Sequence, residues 1–206
     1  NEKYFSSVDP KWELSFLPID DKAGNQYYED MKFCTEFAYH NRRLMLDKIQ
    51  EAFNQILPKV GFDKEINLPH NYATFENHFG QNVLIHRKGA TSARLGEVGI
   101  IPGSQGTKSY IVKGKGNPES FTSCSHGAGR RMGRNQARRE LSLEKEKKAL
   151  DEKGILHSIR GVMDLDEAPS AYKDISEVIK NEQDLIEIAV ELTPLAVIKS
   201  SEGAVD

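Results

Sequence analysis

Ten of the chain's sixteen glycines fall within the 49 residues from His86 to Arg134. Short β-favouring runs alternate with them. Val83-Leu84-Ile85 comes just ahead, then Val98-Gly99-Ile100-Ile101, Tyr110-Ile111-Val112 and Ser120-Phe121-Thr122-Ser123-Cys124. This alternation predicts short strands joined by tight turns. The same segment carries nine Lys/Arg against two acids, Glu97 and Glu119, a local charge of +7. The whole chain is nearly balanced at −3, because residues 164–206 hold eleven acids against three lysines, a local −8. The cancellation conceals a basic segment suited to phosphate.

The flanking zones differ from it. From Asn25 to Leu57, apolar residues Tyr28, Met31, Phe37, Ala38, Leu44, Met45, Ile49, Phe53 and Leu57 recur mostly at spacings of three, four or seven. That is the pattern of one long amphipathic helix, ended by Pro58 and Gly61. Arg134 to Asp151 reads as a helix with a charged face, stopped by Gly154. Ile155 to Arg160 reads as a strand, Ile175 to Ile188 as a helix, and Leu192 to Ile198 as a closing strand with Pro194 near its start. Strands and helices without βαβ regularity predict an α+β fold, with mixed or antiparallel β-sheets and surrounding helices.

Length and composition narrow the class. The 206 residues fit one domain able to bury a real core. With 38% hydrophobic and 29% charged residues, disordered, collagenous and disulfide-scaffold proteins are excluded. No run approaches the roughly 20 apolar residues of a membrane helix, so a soluble protein with no membrane partner is expected. Glu2, Lys3 and Asp9 interrupt any signal-peptide pattern. The two cysteines, Cys34 and Cys124, form no C-x-x-C pattern, which points to a reducing, cytoplasmic setting. Cys34 is expected in the core as part of the helix, and Cys124 as a buried strand residue.

Several strings carry chemistry. Pro102-Gly103-Ser104-Gln105-Gly106 can present backbone N–H groups to an anion, or serve as a plain tight turn. It matches neither the Walker A loop nor the dinucleotide glycine pattern. Ser125-His126-Gly127-Ala128-Gly129-Arg130 reads as a strand, a histidine, small residues and then a helix bearing Arg130, Arg131 and Arg134. Arg130 and Arg134, four apart, are expected to share a helical face and clamp phosphate. The helix N-terminus is open to an anion, and His126 is a competent nucleophile toward phosphorus. The alternative is a capped helix with a surface arginine cluster. His70-Asn71-Tyr72 reads as a polar loop whose histidine is either a metal ligand or an ordinary loop residue. Arg87-Lys88-Gly89 places two cations before a glycine turn, for phosphate or for solvent. Tyr172 is of a type that stacks on a base, and Lys199 closes the last strand where it can meet a ligand. His40, His78, His86 and His157 receive no chemical role.

Together these strings resemble one family, the RtcB-type RNA ligases, which seal RNA 3′-phosphate or 2′,3′-cyclic phosphate ends to 5′-hydroxyl ends. The resemblance rests on His70-Asn71-Tyr72-Ala73, Arg87-Lys88-Gly89-Ala90-Thr91, Gly99-Ile100-Ile101-Pro102-Gly103-Ser104, Ser109-Tyr110-Ile111-Val112, Ser123-Cys124-Ser125-His126-Gly127-Ala128-Gly129-Arg130 and Asp166-Glu167-Ala168-Pro169 with Ala171-Tyr172-Lys173-Asp174-Ile175. The helical string Phe37-Ala38-Tyr39-His40-Asn41-Arg42 also looks familial. The similarity runs from about residue 24 to Lys199.

The resemblance implies an RtcB-like fold and a GTP- and manganese-dependent ligase of tRNA splicing or RNA repair. By it, His126 attacks GTP to form a histidine–GMP phosphoramidate. His70 is a manganese ligand. Asn71, Ser104, Ser109, Ala128, Gly129, Arg130, Tyr172 and Lys199 bind the nucleotide, and Lys88, Arg130 and Arg134 hold RNA phosphates. Two departures are mild: Gln105 stands where the family has methionine, and Gly133 where it has serine. A larger one concerns the metal. The family's aspartate, cysteine and two further histidines lie upstream of the matched region, and nothing before His70 supplies them. With Asn1 in first place, this leads to the expectation that residues 1–206 are the C-terminal part of a single catalytic domain. The alternative is a non-catalytic RNA- or nucleotide-binding fragment that needs an N-terminal portion for activity.

Overall fold

The computed structural model describes residues 16–199, together with Asp9 and Lys11. The elements in order are α1 (Lys22–Ile56), β1 (Asn71–His78), β2 (Gln81–Lys88), β3 (Ala90–Ser92), β4 (Val98–Ile101), β5 (Ser109–Gly114), β6 (Ser123–Ser125), α2 (Arg134–Glu140), α3 (Leu143–Asp151), α4 (Ile175–Asn181) and β7 (Ile186–Leu192). The pairings of these strands are antiparallel: β1 with β2, β3 with β6, and β4, β5 and β7 in one sheet with β5 central. The architecture is α+β, in line with the missing βαβ regularity. Among the described residues no helix is long and apolar enough to cross a membrane.

The core follows strand alternation. Ile101 of β4 and Tyr110 and Val112 of β5 are buried with Cys124, Ala128, Ile175, Ile179 and Ile186. A second cluster gathers Leu150, Ile155, Ile159, Leu165 and Ala168. The β1–β2 hairpin closes through Phe79 and Gly80, whose φ angles of 53° and 77° give the turn that matches strand twist. A buried charge cluster ties this hairpin to the rest. Arg87 donates to both Glu76 oxygens at 2.6 and 3.0 Å, to Tyr72 Oη at 3.1 Å, to the Phe121 carbonyl at 3.1 Å and to Ser123 Oγ at 3.0 Å. His78 and Arg94 reach the same carboxylate at 2.8 and 2.9 Å. The Arg87 hydrogen bonds, against the opposing effect of burial and with help from His78 and Arg94, pull the Glu76 carboxyl down to about 2.

The long helix forms as one unbroken piece, capped by the Asp21 side chain on the Ala23 N–H. Its apolar stripe, however, is mostly open: Phe37, Leu44, Met45, Ile49, Phe53 and Leu57 are all exposed. The helix meets the body through Tyr28 against Phe75 and through Asn67, which bonds Arg42 Nε and the Tyr39 carbonyl. Cys34 is exposed, not in the core, because helical periodicity groups residues on a face without saying whether that face is covered. Cys124 is buried as expected, with its Sγ 3.3 Å from Thr91 Oγ1.

Other boundaries move for local reasons. Asn71 and Tyr72 open strand β1, not a loop; with Ala73 and His78 its buried residues, the strand shows little hydrophobic alternation. Of the run Ser120 to Cys124 only its last two residues join a strand, β6. Ahead of it, the Asn117 side chain accepts from Glu119 N and Ser120 Oγ from Ser123 N, and these local bonds outcompete a ladder. The helix expected over 134–151 splits into α2 and α3, because Ser142 caps the second by accepting from Lys145 N. Residues 155–160 are not a strand; Ile155 and Ile159 are core anchors, and the one bridge there joins Leu156 to Ala196. The helix expected over 175–188 stops at Asn181, and Ile186 and Ile188 belong to β7. The closing strand thus ends at Leu192, before Pro194, which has no N–H to give a ladder.

Candidate active site

Gly89 is the pivot of the site. It turns the chain from β2 into β3 with φ of 70°, a left-handed conformation natural to glycine. Its N–H donates to the His70 carbonyl at 3.1 Å, and its own carbonyl accepts from His126 Nδ1 at 2.7 Å. Ala90 lies opposite Ser125 in the β3–β6 register, which is why the next residues out, Gly89 and His126, abut. The His70 and His126 rings stack with centroids 5.3 Å apart and planes 15° from parallel. A backbone carbonyl only accepts, so the hydrogen lies on Nδ1, and the tautomer this selects for a neutral ring has its lone pair at Nε2. That is the tautomer a nucleophile needs. Burial, followed by the neighbouring His126 imidazole and the cations Arg42 and Lys88, lowers the pKa of His70 and favours its neutral form. Asn71 and Lys88 pair across the strands beside the two rings. A methyl at Gly89 would sit 3.3 Å from His126 Cε1 on a strained φ. Gly89→Ala is therefore expected to cost about 1 kcal/mol or more in urea denaturation and to shift the His126 ring nitrogen resonances in NMR.

The small residues after His126 follow from a close approach. A side chain on Gly127 would meet the Pro102 carbonyl at 3.0 Å, and Ala128 N donates to that same oxygen at 3.0 Å. Gly129 takes φ of 70° and its carbonyl accepts from Lys173 N, while Arg130 pairs with Tyr172 as a β-bridge. The three glycine-rich and acidic strings recognised in the sequence are thus wedged together at one place.

Beside them lies a cavity of about 340 Å3. Its wall includes Ser104, Ser109, Tyr172 and Lys199, four of the residues singled out from sequence, with Gln105 and Glu167. Ser109 Oγ accepts from Gly103 N and Ser104 Oγ lies 3.0 Å from Thr107 Oγ1, which shapes the turn. His70, Asn71, Lys88, His126, Ala128 and Gly129 lie outside this wall, and Ala128 is tied to it through its hydrogen bond to the Pro102 carbonyl. A second cavity of about 290 Å3 shares Gln105, Glu167 and Lys199 and adds Arg134, Arg138 and Asp166.

The expected arginine clamp takes another form. Arg130 precedes α2 in extended backbone, so it does not share a helical face with Arg134. Gly133 is the N-cap of α2 and supplies no side-chain cap, and the helix itself begins at Arg134. Arg130 instead covers the Tyr172 ring at 5.0 Å and reaches Glu167 Oε1 at 3.3 Å and the Asp166 carbonyl. Arg134 stays open, 4.0 Å from Asp166. Glu167 is the residue that the sequence reading left without a role. It accepts from Tyr172 Oη at 2.6 Å and faces Lys199 Nζ at 3.5 Å. Burial opposes its ionisation, but Tyr172, Lys199 and Arg130 outweigh burial and hold the carboxyl below its usual range. Tyr172, pushed up to about 12 by burial and then by Glu167, stays a donor. The signal available for Glu167 is its place in the string Asp166-Glu167-Ala168-Pro169, five residues before Tyr172.

An α+β protein with a backbone-oriented histidine pair beside a polar cavity is the class defined by these features. The family model described as tRNA-splicing ligase RtcB matches residues 2–200. RNA-splicing ligase RtcB of Escherichia coli is 40% identical over 200 residues, covering 90% of this chain and 48% of the relative. The tRNA-splicing ligase RtcB of Nanoarchaeum equitans is 35% identical, covering 96% and 47%, and that of Archaeoglobus fulgidus 32%, covering 92% and 45%. The chain belongs to the RtcB family, and it spans about half the length of these curated relatives.

The family resemblance also implies manganese. Among the described residues no group of three or more His, Cys, Asp or Glu is placed to hold a metal ion. His70 has a second imidazole as its ring neighbour and no carboxylate, whereas manganese favours oxygen-rich sets. These residues alone do not fit a manganese site.

Proposed function

We propose that this chain is the nucleotide-transferring, C-terminal portion of an RNA ligase with an RtcB-like fold. Its substrates are GTP and RNA ends bearing a 3′-phosphate or 2′,3′-cyclic phosphate and a 5′-hydroxyl, as in tRNA splicing or RNA repair in the cytoplasm. The observation that supports this best is the Nδ1–H of His126 held on the Gly89 carbonyl, with Nε2 left to attack. Nε2 bonds to the α-phosphorus of GTP as the bond to pyrophosphate breaks, leaving GMP on His126. A 2′,3′-cyclic end is first opened by water to the 3′-phosphate; an oxygen of that 3′-phosphate then takes guanylate as the bond to His126 Nε2 breaks, and the 5′-hydroxyl displaces GMP to join the ends. Ser104, Ser109, Asn71 and the backbone at Ala128 and Gly129 hold the nucleotide. Tyr172 lies against the base, and Lys199, steadied by Glu167, reads its edge. Lys88, Arg130 and Arg134 supply positive charge toward RNA phosphates. His70 would supply at most one donor to manganese, and the described residues do not complete that set.

The test uses GTP radiolabelled at the α-phosphate, with manganese. The chain alone is expected to take up little or no label. Joined to an upstream segment that carries aspartate, cysteine and histidine donors, it is expected to form an acid-labile, alkali-stable adduct. A joined protein that takes up no label sinks the proposal, and strong labelling of the chain alone contradicts the incomplete metal set.

A further inference from the structure

α1 and β1 enclose a groove of about 580 Å3 that the nucleotide-binding residues do not use. Its wall carries three aromatic rings, Tyr28, Tyr39 and Tyr72, and two cations, Lys32 and Arg42. It ends at Pro69, the residue before His70. Lys32 is paired with Glu29, and the groove's acid, Glu36, faces His40 at 3.9 Å. Arg42 is different. Its Nε donates to Asn67 Oδ1 at 2.7 Å, yet its Nη2 is buried without a partner. Among the described residues no carboxylate stands within ion-pairing distance of it. A guanidinium drawn partly out of water needs a counter-anion, and its planar fork matches phosphate in particular.

We infer that this groove is a track for the single-stranded RNA end, with Arg42 receiving a backbone phosphate and the exposed Tyr39 ring stacking a base. Cations interleaved with aromatic faces are the means by which proteins hold single strands without reading sequence. The end of the groove supplies the rest: Arg42 and Pro69 share its wall, and the residue after Pro69 is His70, so a strand lying in it is led toward the His70–His126 pair, where a reacting end has to arrive. The inference rests on the ligase reading for the identity of the strand as RNA.

Fluorescence anisotropy with a short single-stranded RNA carrying a 3′-phosphate tests it on the chain as it stands. Arg42→Ala is expected to weaken binding about tenfold or more and to lower the salt slope by about one. Arg42→Lys, with charge but no fork, should fall between. Tyr39→Ala guards against misfolding of the arginine variant and should weaken binding several-fold at unchanged thermal midpoint. Unchanged affinity in the Arg42 and Tyr39 variants overturns the track, including the case in which a protein carboxylate occupies Arg42. Absence of RNA binding by the wild type overturns it as well. Labelled His126 with RNA affinity indifferent to Arg42 removes the track and leaves the ligase. An unlabelled joined protein whose RNA affinity depends on Arg42 removes the ligase and leaves the track.

Discussion

Glu76→Gln is expected to destabilise the chain by about 3–5 kcal/mol, the usual consequence of removing one partner from a buried ion pair. Its partner Arg87 has a side chain only 1% exposed, so the guanidinium cannot turn to solvent once the carboxylate is gone. Glutamine keeps the shape and one acceptor but leaves Arg87 and Arg94 without their counter-charge. Replacing Glu76 and Arg87 together by leucine and methionine should recover most of the loss, since no isolated charge then stays buried. Urea denaturation of the single and double variants measures both effects, and a single variant within 0.5 kcal/mol of wild type contradicts the account. The pH dependence has a definite sign. Glu76 ordinarily titrates near 4.5 and is held at about 2 in the fold. Its contribution is complete above pH 4.5 and is lost as pH falls toward 2. Glu76→Gln should lack that acid limb. The consequence reaches the site, because β2, anchored by this cluster, runs directly into Gly89.

The sequence made the basic, glycine-rich zone legible, together with the strings that converge in space, because each string is short and its roles are set by local chemistry. Gly89 shows the limit. Its positive φ and its contact with His126 depend on the β3–β6 register, and no count of residues along the chain conveys a register. The Arg130–Arg134 clamp failed for a similar reason. A spacing of four is a shared face only inside a helix, and the bridge to Tyr172 holds Arg130 in extended backbone before α2 starts. Glu167 went unassigned because its meaning comes from Tyr172, Arg130 and Lys199, up to 37 positions away. On α1, the periodic stripe was legible, yet its exposure was not, since exposure is a property of what packs against a helix.

His126→Ala should abolish guanylate attachment in the joined protein, a loss of about 10^4-fold or more, because no other group replaces a covalent nucleophile. The same change should leave stability within about 1 kcal/mol of wild type, since the ring is only partly buried and its hydrogen bond goes to one backbone carbonyl. The pair of outcomes matters more than either alone. Loss of labelling with an unchanged urea midpoint assigns the chemistry to Nε2, and loss of both would make His126 a structural post for the Gly89 turn. Gly89→Ala supplies the graded case, since it keeps the imidazole and disturbs its orientation. Labelling by that variant should fall below wild type yet stay above His126→Ala, because a misaimed nucleophile still attacks when thermal motion returns Nε2 to line. If Gly89→Ala labels at the wild-type rate, the carbonyl that pins Nδ1 does not set the reactive tautomer, and the geometric argument for His126 loses its foundation.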